Sequence, residues 1–396
     1  MNRRTFYRNL LLAAVAAPSV AMLGEPLTAQ AAAQCAQSAT PPVPCHRSLI
    51  EYQLPPAEET HEIIKMPGSP LALISQQSNS HLVKLWFDPI TEQIKGIKAF
   101  PLGPTDALLH GLAVSRRYPG KIWATHEGGN RLLLVDPGNG GLTIPPKILR
   151  TIDIPDGGKG PHYVEEFGEL LWVSLKESNQ VLAINHTDPT RYWLYQALPQ
   201  PIFVARHPFS GEFYASEDVS SKLLRINFAT QTTSQIAIPS THGQRPVGLI
   251  AGPAGIWFVL LGTAQQGTGM FGRIDERGGI TWFRLTSPEG RNAGLLHIAF
   301  DPPGTQSEPH AWLLGSSIIS PNVFDLIVRV TFDPTYTQLK SEEIAVLPTQ
   351  FCKAHRLLPL PHSVLATELT SSTVAQLFTT SDCHWKQPST TAADPA

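Results

Sequence analysis

The chain has 396 residues, 30 Lys and Arg against 32 Asp and Glu, and a formal charge of −2 at neutral pH. That balance supplies no basic face and excludes an electrostatic nucleic-acid binder. With 42% hydrophobic and 16% charged residues the chain is not intrinsically disordered, and its 36 prolines and 30 glycines indicate many short elements joined by turns.

In chain order, residues 1–33 read as an export signal. Arg3, Arg4 and Arg8 form a positive start, residues 10–23 are apolar apart from Pro18 and Ser19, and Ala29-Gln30-Ala31 is a small-residue cleavage site. The paired arginines before Phe6 resemble a twin-arginine signal. The apolar stretch is too short to span a bilayer, and no later run approaches 18 apolar residues. The expectation is a secreted protein, or a periplasmic one in a bacterium, with no membrane segment. Residues 34–47 form a short extension. Cys35, Cys45, Cys352 and Cys383 make an even count with three disulfide pairings open, and no C-x-x-C spacing suggests zinc or dithiol redox chemistry. Asn185-His186-Thr187 is a glycosylation sequon, usable in a eukaryotic secretory pathway.

From about residue 60 one unit recurs: a short apolar segment after Pro or Gly, a second apolar segment often opening with Trp, a polar turn, and two further strands. The second segments open at Leu73, Trp123, Trp172, Tyr214, Trp257, Trp312 and Leu365. Third strands fall at 131–135, 180–184, 222–226, 271–274 and 326–330, and a fourth, at 279–285, alternates with period two. β-Branched and aromatic enrichment, frequent turns and the absence of helical periodicity predict an all-β protein. Four strands per unit of 40 to 58 residues define a propeller blade. The seventh unit lacks its fourth strand, and the alternating segment 48–54 lacks a blade. Pairing them predicts a single seven-bladed β-propeller over 48–384, closed by an N-terminal strand that completes the last blade, with 385–396 as a tail. Cysteines at both chain ends lie where a disulfide would lock that closure.

Aligned by their second segments, the units place His61, His110, His162, Ile202, Val247, His297 and His355 at the start of the innermost strand, facing the central channel. Imidazoles titrate near neutral pH, so His297, His110, His162 and His355 are the expected catalytic groups, as hydrogen-bond donors or general acids. A second column, Gln76, His126, Leu175, Glu217, Leu260, Gly315 and Glu368, is expected at the channel rim. Its mixed polarity suits a small-molecule site, with His61, His126, Glu217 and Glu368 as binding groups and Trp257, Phe203 and Leu296 as apolar wall. Turn insertions at 263–269 and 318–325 are expected to overhang the channel.

The W-x6-N spacing of Trp123 to Asn130 and Trp172 to Asn179, the strand Leu223-Leu224-Arg225-Ile226, and Gly160-Pro161-His162 resemble the virginiamycin B lyase family over residues 105–380. The resemblance implies a seven-bladed propeller that opens a cyclic depsipeptide by elimination, using a metal, a catalytic His and nearby glutamates. In register, however, the family's Glu falls on Gly294, its His on Leu296 and its partner Glu near Ser316. Glu308-Pro309-His310 repeats the family's E-P-H triplet, but in the following turn. The stretches 315–322 and 366–372 are similar to secreted fungal propellers of this lineage, some of which are hetero-Diels–Alderases. That second resemblance implies cyclisation of a hydrophobic secondary metabolite without cofactor or metal. The alternatives are a metal-dependent lyase or lactonase with Glu217 or Glu368 as ligand, and a non-catalytic binding propeller.

Overall fold

The computed structural model describes residues 49–305 and 308–379. Twenty-eight strands form seven four-stranded antiparallel sheets in a ring. Six blades are consecutive in sequence, at 60–101, 109–153, 161–196, 201–237, 246–284 and 295–346. The seventh joins three strands from 354–378 to Leu49–Gln53 as its outermost strand, with Leu49 opposite Leu377 and Gln53 opposite Thr373. The predicted closure is therefore the one observed, and it leaves the last sheet no missing edge.

Second strands such as Leu71–Gln76, Leu170–Leu175, Gly255–Leu260 and Ser363–Glu368 are buried at nearly every position, because sheets pack against them on both faces. Outermost strands such as Lys147–Asp153 are mostly exposed. Trp123, Trp172, Trp257 and Trp312 are buried between neighbouring blades and account for the regular spacing of Trp in the sequence.

Every innermost strand carries a register shift near its start, at the channel's upper mouth. A bulge leaves one residue unpaired and re-aims its side chain. The hydroxyls of Ser75, Thr125, Ser174, Ser216 and Thr367 organise these bulges. Each accepts the N–H of the residue after its own bulge, at 2.7–3.1 Å. Each also donates to a bulge carbonyl of the next blade, at 2.5–3.2 Å. The relay thus satisfies buried backbone groups and ties neighbouring blades together. Blades five and six have Val259 and Leu314 at this position and lack it.

Cys352 is buried with a free thiol. Cys35, Cys45 and Cys383 lie outside the described residues, as do the segments 1–33, 34–47 and 385–396. Among the described residues no helix is long and apolar enough to cross a membrane.

Candidate functional site

The bulge residues are His61, His110, His162, Ile202, Val247, Leu296 and His355. His297 was expected in this column, but Leu296 occupies it and His297 sits one residue further along the strand. Four imidazoles from blades seven, one, two and three form a continuous arc. Ring centroids are 4.4 Å apart for His355 and His61, 4.3 Å for His61 and His110, and 3.8 Å for His110 and His162. Blades four, five and six complete the circle with Ile202, Val247 and Leu296, which pack with Leu261, Ile318 and Ile319. The 318–325 insertion therefore does lean over the channel, on its aliphatic side, and Asn322 reaches the carbonyl of Gln265 in the other insertion.

The hydrogen bonds assign several ring protons. His110 Nδ1 donates to the carbonyl oxygen of His162 at 2.8 Å, which leaves Nε2 as a lone pair. A Cβ on Gly111 would come within 2.5 Å of that same oxygen, so glycine is what lets the two strands approach. His61 Nδ1 and His355 Nε2 share a hydrogen bond of 2.9 Å. His162 Nδ1 lies 3.2 Å from a Glu127 carboxylate oxygen, which also accepts from the Gln77 amide at 2.8 Å. His297 Nδ1 accepts from the Leu357 N–H at 3.2 Å, which puts its proton on Nε2. Burial holds all five of these histidines well below their usual range, helped by the nearby Arg356 guanidinium. They are neutral at physiological pH. As neutral rings they can serve as N–H donors and lone-pair acceptors.

The rim was anticipated one residue too early. Backbone bonds from Gln77, Glu127, Lys176, Asp218, Leu261, Ser316 and Leu369 close the upper turn of every blade, and these residues lead onto the upper face. Their predecessors are all buried. Glu217 accepts from the Leu198 N–H at 2.7 Å and the Gln235 amide at 2.9 Å, and Glu368 accepts from Ser371 and Thr373. Both carboxylates are thus engaged within the turns and flanks of their own blades. His126 is buried beside Gly103 and Ala107 at the flank of blade two, where burial brings it down to about 4. Trp257 is fully buried between blades five and six, its indole N–H on the Pro253 carbonyl, and forms no channel wall. Phe203 lines the axial cavity, and Leu296 sits in the aliphatic part of the ring.

Below the bulges, residues from six blades line an open axial cavity of about 410 Å³. Ile64, Leu112, Val114, Phe203 and Ile250 supply apolar wall, while Glu62, Tyr163, Glu165 and His297 supply polarity. The Tyr163 hydroxyl donates to Glu165 at 2.7 Å. Burial raises both groups, so each retains its proton to higher pH than usual. Arg356, 1% exposed, pairs with Glu62 at 3.2 Å and lies 4.4 Å over the Phe203 ring. Sequence reading overlooked Glu62, Tyr163 and Arg356, although each immediately follows a bulge histidine on an innermost strand.

The architecture and its axial site define a seven-bladed β-propeller with a half-imidazole, half-aliphatic channel. Among solved structures, a catalytically inactive histidine-to-alanine variant of virginiamycin B lyase from Staphylococcus aureus, with quinupristin, matches with a TM-score of 0.64 at 16% identity, covering 84% of this chain and 99% of that one. A streptogramin B lyase structure matches with 0.63 at 20% identity, covering 83% and 97%. The RRP9 WD40 repeats match nearly as well, with 0.60 at 7% identity and the same 83% and 97%. At these identities the likeness is one of fold. No protein-family model matches the chain, and no curated protein sequence does. The positions that the lyase resemblance assigns to its acids and histidine hold Gly294, Ser316 and the buried Leu296, so they do not fit the metal-dependent elimination set.

Proposed function

We propose that this protein is an enzyme that takes a hydrophobic, uncharged small molecule into the axial cavity and cyclises it by a Diels–Alder-type reaction. The supporting observation is the cavity itself, whose volume falls within the roughly 300–1,000 Å³ typical of small-molecule sites and whose apolar wall carries a few convergent polar groups. In a cycloaddition, π bonds become σ bonds while every atom, proton and electron stays in the product, so no nucleophile or redox cofactor is required. Confinement of the two reacting ends supplies proximity, worth up to roughly 7–11 kcal/mol in the best intramolecular cases. His297 Nε2–H is the donor available to polarise a substrate carbonyl, because the Tyr163 hydroxyl proton is held by Glu165. The N-terminal sequence supports placing this activity outside the cell.

A second reading is C–O elimination on a cyclic ester, supported by the lyase neighbours and by His162, a neutral imidazole backed by Glu127. One assay separates the two. Purified protein is incubated with a conjugated polyene and a quinone-methide precursor, and in parallel with quinupristin, and products are followed by chiral chromatography and mass spectrometry. Faster, stereoselective adduct formation supports cyclisation. Ester opening without adduct transfers the site to elimination. For cyclisation, His297→Phe, which removes the Nε2–H donor, is expected to lower kcat about 10- to 100-fold with KM little changed.

A further inference from the structure

We infer that His61, His110 and His355 form a binding site for one divalent transition-metal ion of the zinc class, joining blades seven, one and two at the point where the ring closes. One ring nitrogen from each of the three lies within 4.8 Å of the others. The residues are 7%, 1% and 6% exposed, yet His61 Nε2, His110 Nε2 and His355 Nδ1 have no hydrogen-bond partner. Of these, His110 Nε2 is a lone pair by its hydrogen-bond pattern, and an ion that accepts it removes the cost of burying it unpartnered.

The proton arrangement suits ligation. His110 already donates its Nδ1–H to the His162 carbonyl, the outer contact that fixes the tautomer and orientation of a metal-bound imidazole. The 2.9 Å approach of His61 to His355 is close to the about 3.3 Å between two nitrogens on a tetrahedral zinc ion with bonds of about 2.0–2.1 Å. An ion can thus take the place of the shared proton between His61 Nδ1 and His355 Nε2 with little movement, both rings then carrying their hydrogens on the outer nitrogens, His61 Nε2 and His355 Nδ1. An all-imidazole set favours zinc, cobalt, nickel or copper over magnesium or calcium, which prefer oxygen. The set contains no carboxylate and uses none of the positions of the lyase elimination set. It is independent of the cyclisation proposed above.

The test uses the whole mature protein, stripped with chelator and then titrated with zinc, cobalt or magnesium chloride. Expected results are one zinc per chain by elemental analysis, visible d–d bands with cobalt, a higher melting temperature with zinc, and no response to magnesium. His110→Ala is expected to weaken zinc binding at least tenfold, while His297→Ala, in the same channel, keeps it. His110→Gln, checked by circular dichroism, serves if the alanine variant misfolds. Less than a tenth of an equivalent of zinc and cobalt on the wild-type protein overturns the assignment, as does stoichiometric binding that folded His110 variants retain unchanged.

Discussion

The two halves of the channel ring occupy one backbone geometry with opposite chemistry. On blades four to six the bulge carries Ile202, Val247 and Leu296, which pack into a continuous apolar cluster. On blades seven, one, two and three it carries His355, His61, His110 and His162, each well below its usual pKa and three of them with an unpartnered nitrogen. The aliphatic half shows that the fold needs nothing polar at this position. Imidazoles there cost stability that leucine would not, so the arc is best explained by what it binds or does.

Four substitutions sharpen or break that comparison, the largest effect first. Arg356→Met leaves the Glu62 carboxylate buried without its partner, and a loss of about 3–5 kcal/mol in denaturant unfolding is expected, with most of it restored when Glu62→Gln is added. If the single variant unfolds at the wild-type midpoint, the imidazole side is not held together by this ion pair. Next, Leu296→His carries the arc's chemistry into the aliphatic cluster, where a ring without partners should cost about 2–3 kcal/mol. An unchanged melting temperature there would mean that the two halves are equally tolerant of imidazole.

The reverse exchange, His110→Leu in chelator-treated protein, is expected to be neutral or to stabilise by about 1 kcal/mol, because it removes an orphaned nitrogen. A large loss would assign the ring a structural role. The smallest effect concerns pH. Burial and the neighbouring Glu51 bring Glu368 of blade seven from 4.5 up to about 7. Its folded value exceeds its unfolded one, so its contribution is complete below about pH 4.5 and is lost as pH rises through 7. Melting curves at pH 5 and pH 8 should therefore differ less for Glu368→Gln than for the wild type.

Much of the fold was legible because its signals are local. Trp recurs where blades stack, turns follow at fixed offsets, and residues 48–54 alternate without a sheet of their own. The site was legible only to within one residue. The connection between first and second strands varies in length from blade to blade, so an alignment on the second strands could not fix the first strand to one residue and placed His297 where Leu296 lies. Glu217 and Glu368 were placed at the rim one residue before Asp218 and Leu369, whose backbone N–H groups close the turns. Arg356 and Glu62 come from opposite ends of the chain and meet only after closure, which no periodicity could report. The Trp257 indole was misplaced for a simpler reason: in a propeller the large aromatic groups fill the gaps between sheets.

The closing strand Leu49–Gln53 belongs to a sheet whose other members end at Phe378. During synthesis the first strand to leave the ribosome must therefore wait for the last three before it finds its place. A polypeptide released early, after blade six, would carry an orphan strand and an open face, both ready to pair with another copy. Truncated copies are therefore expected to aggregate more readily than the complete chain, which sedimentation of a chain ending after blade six would check.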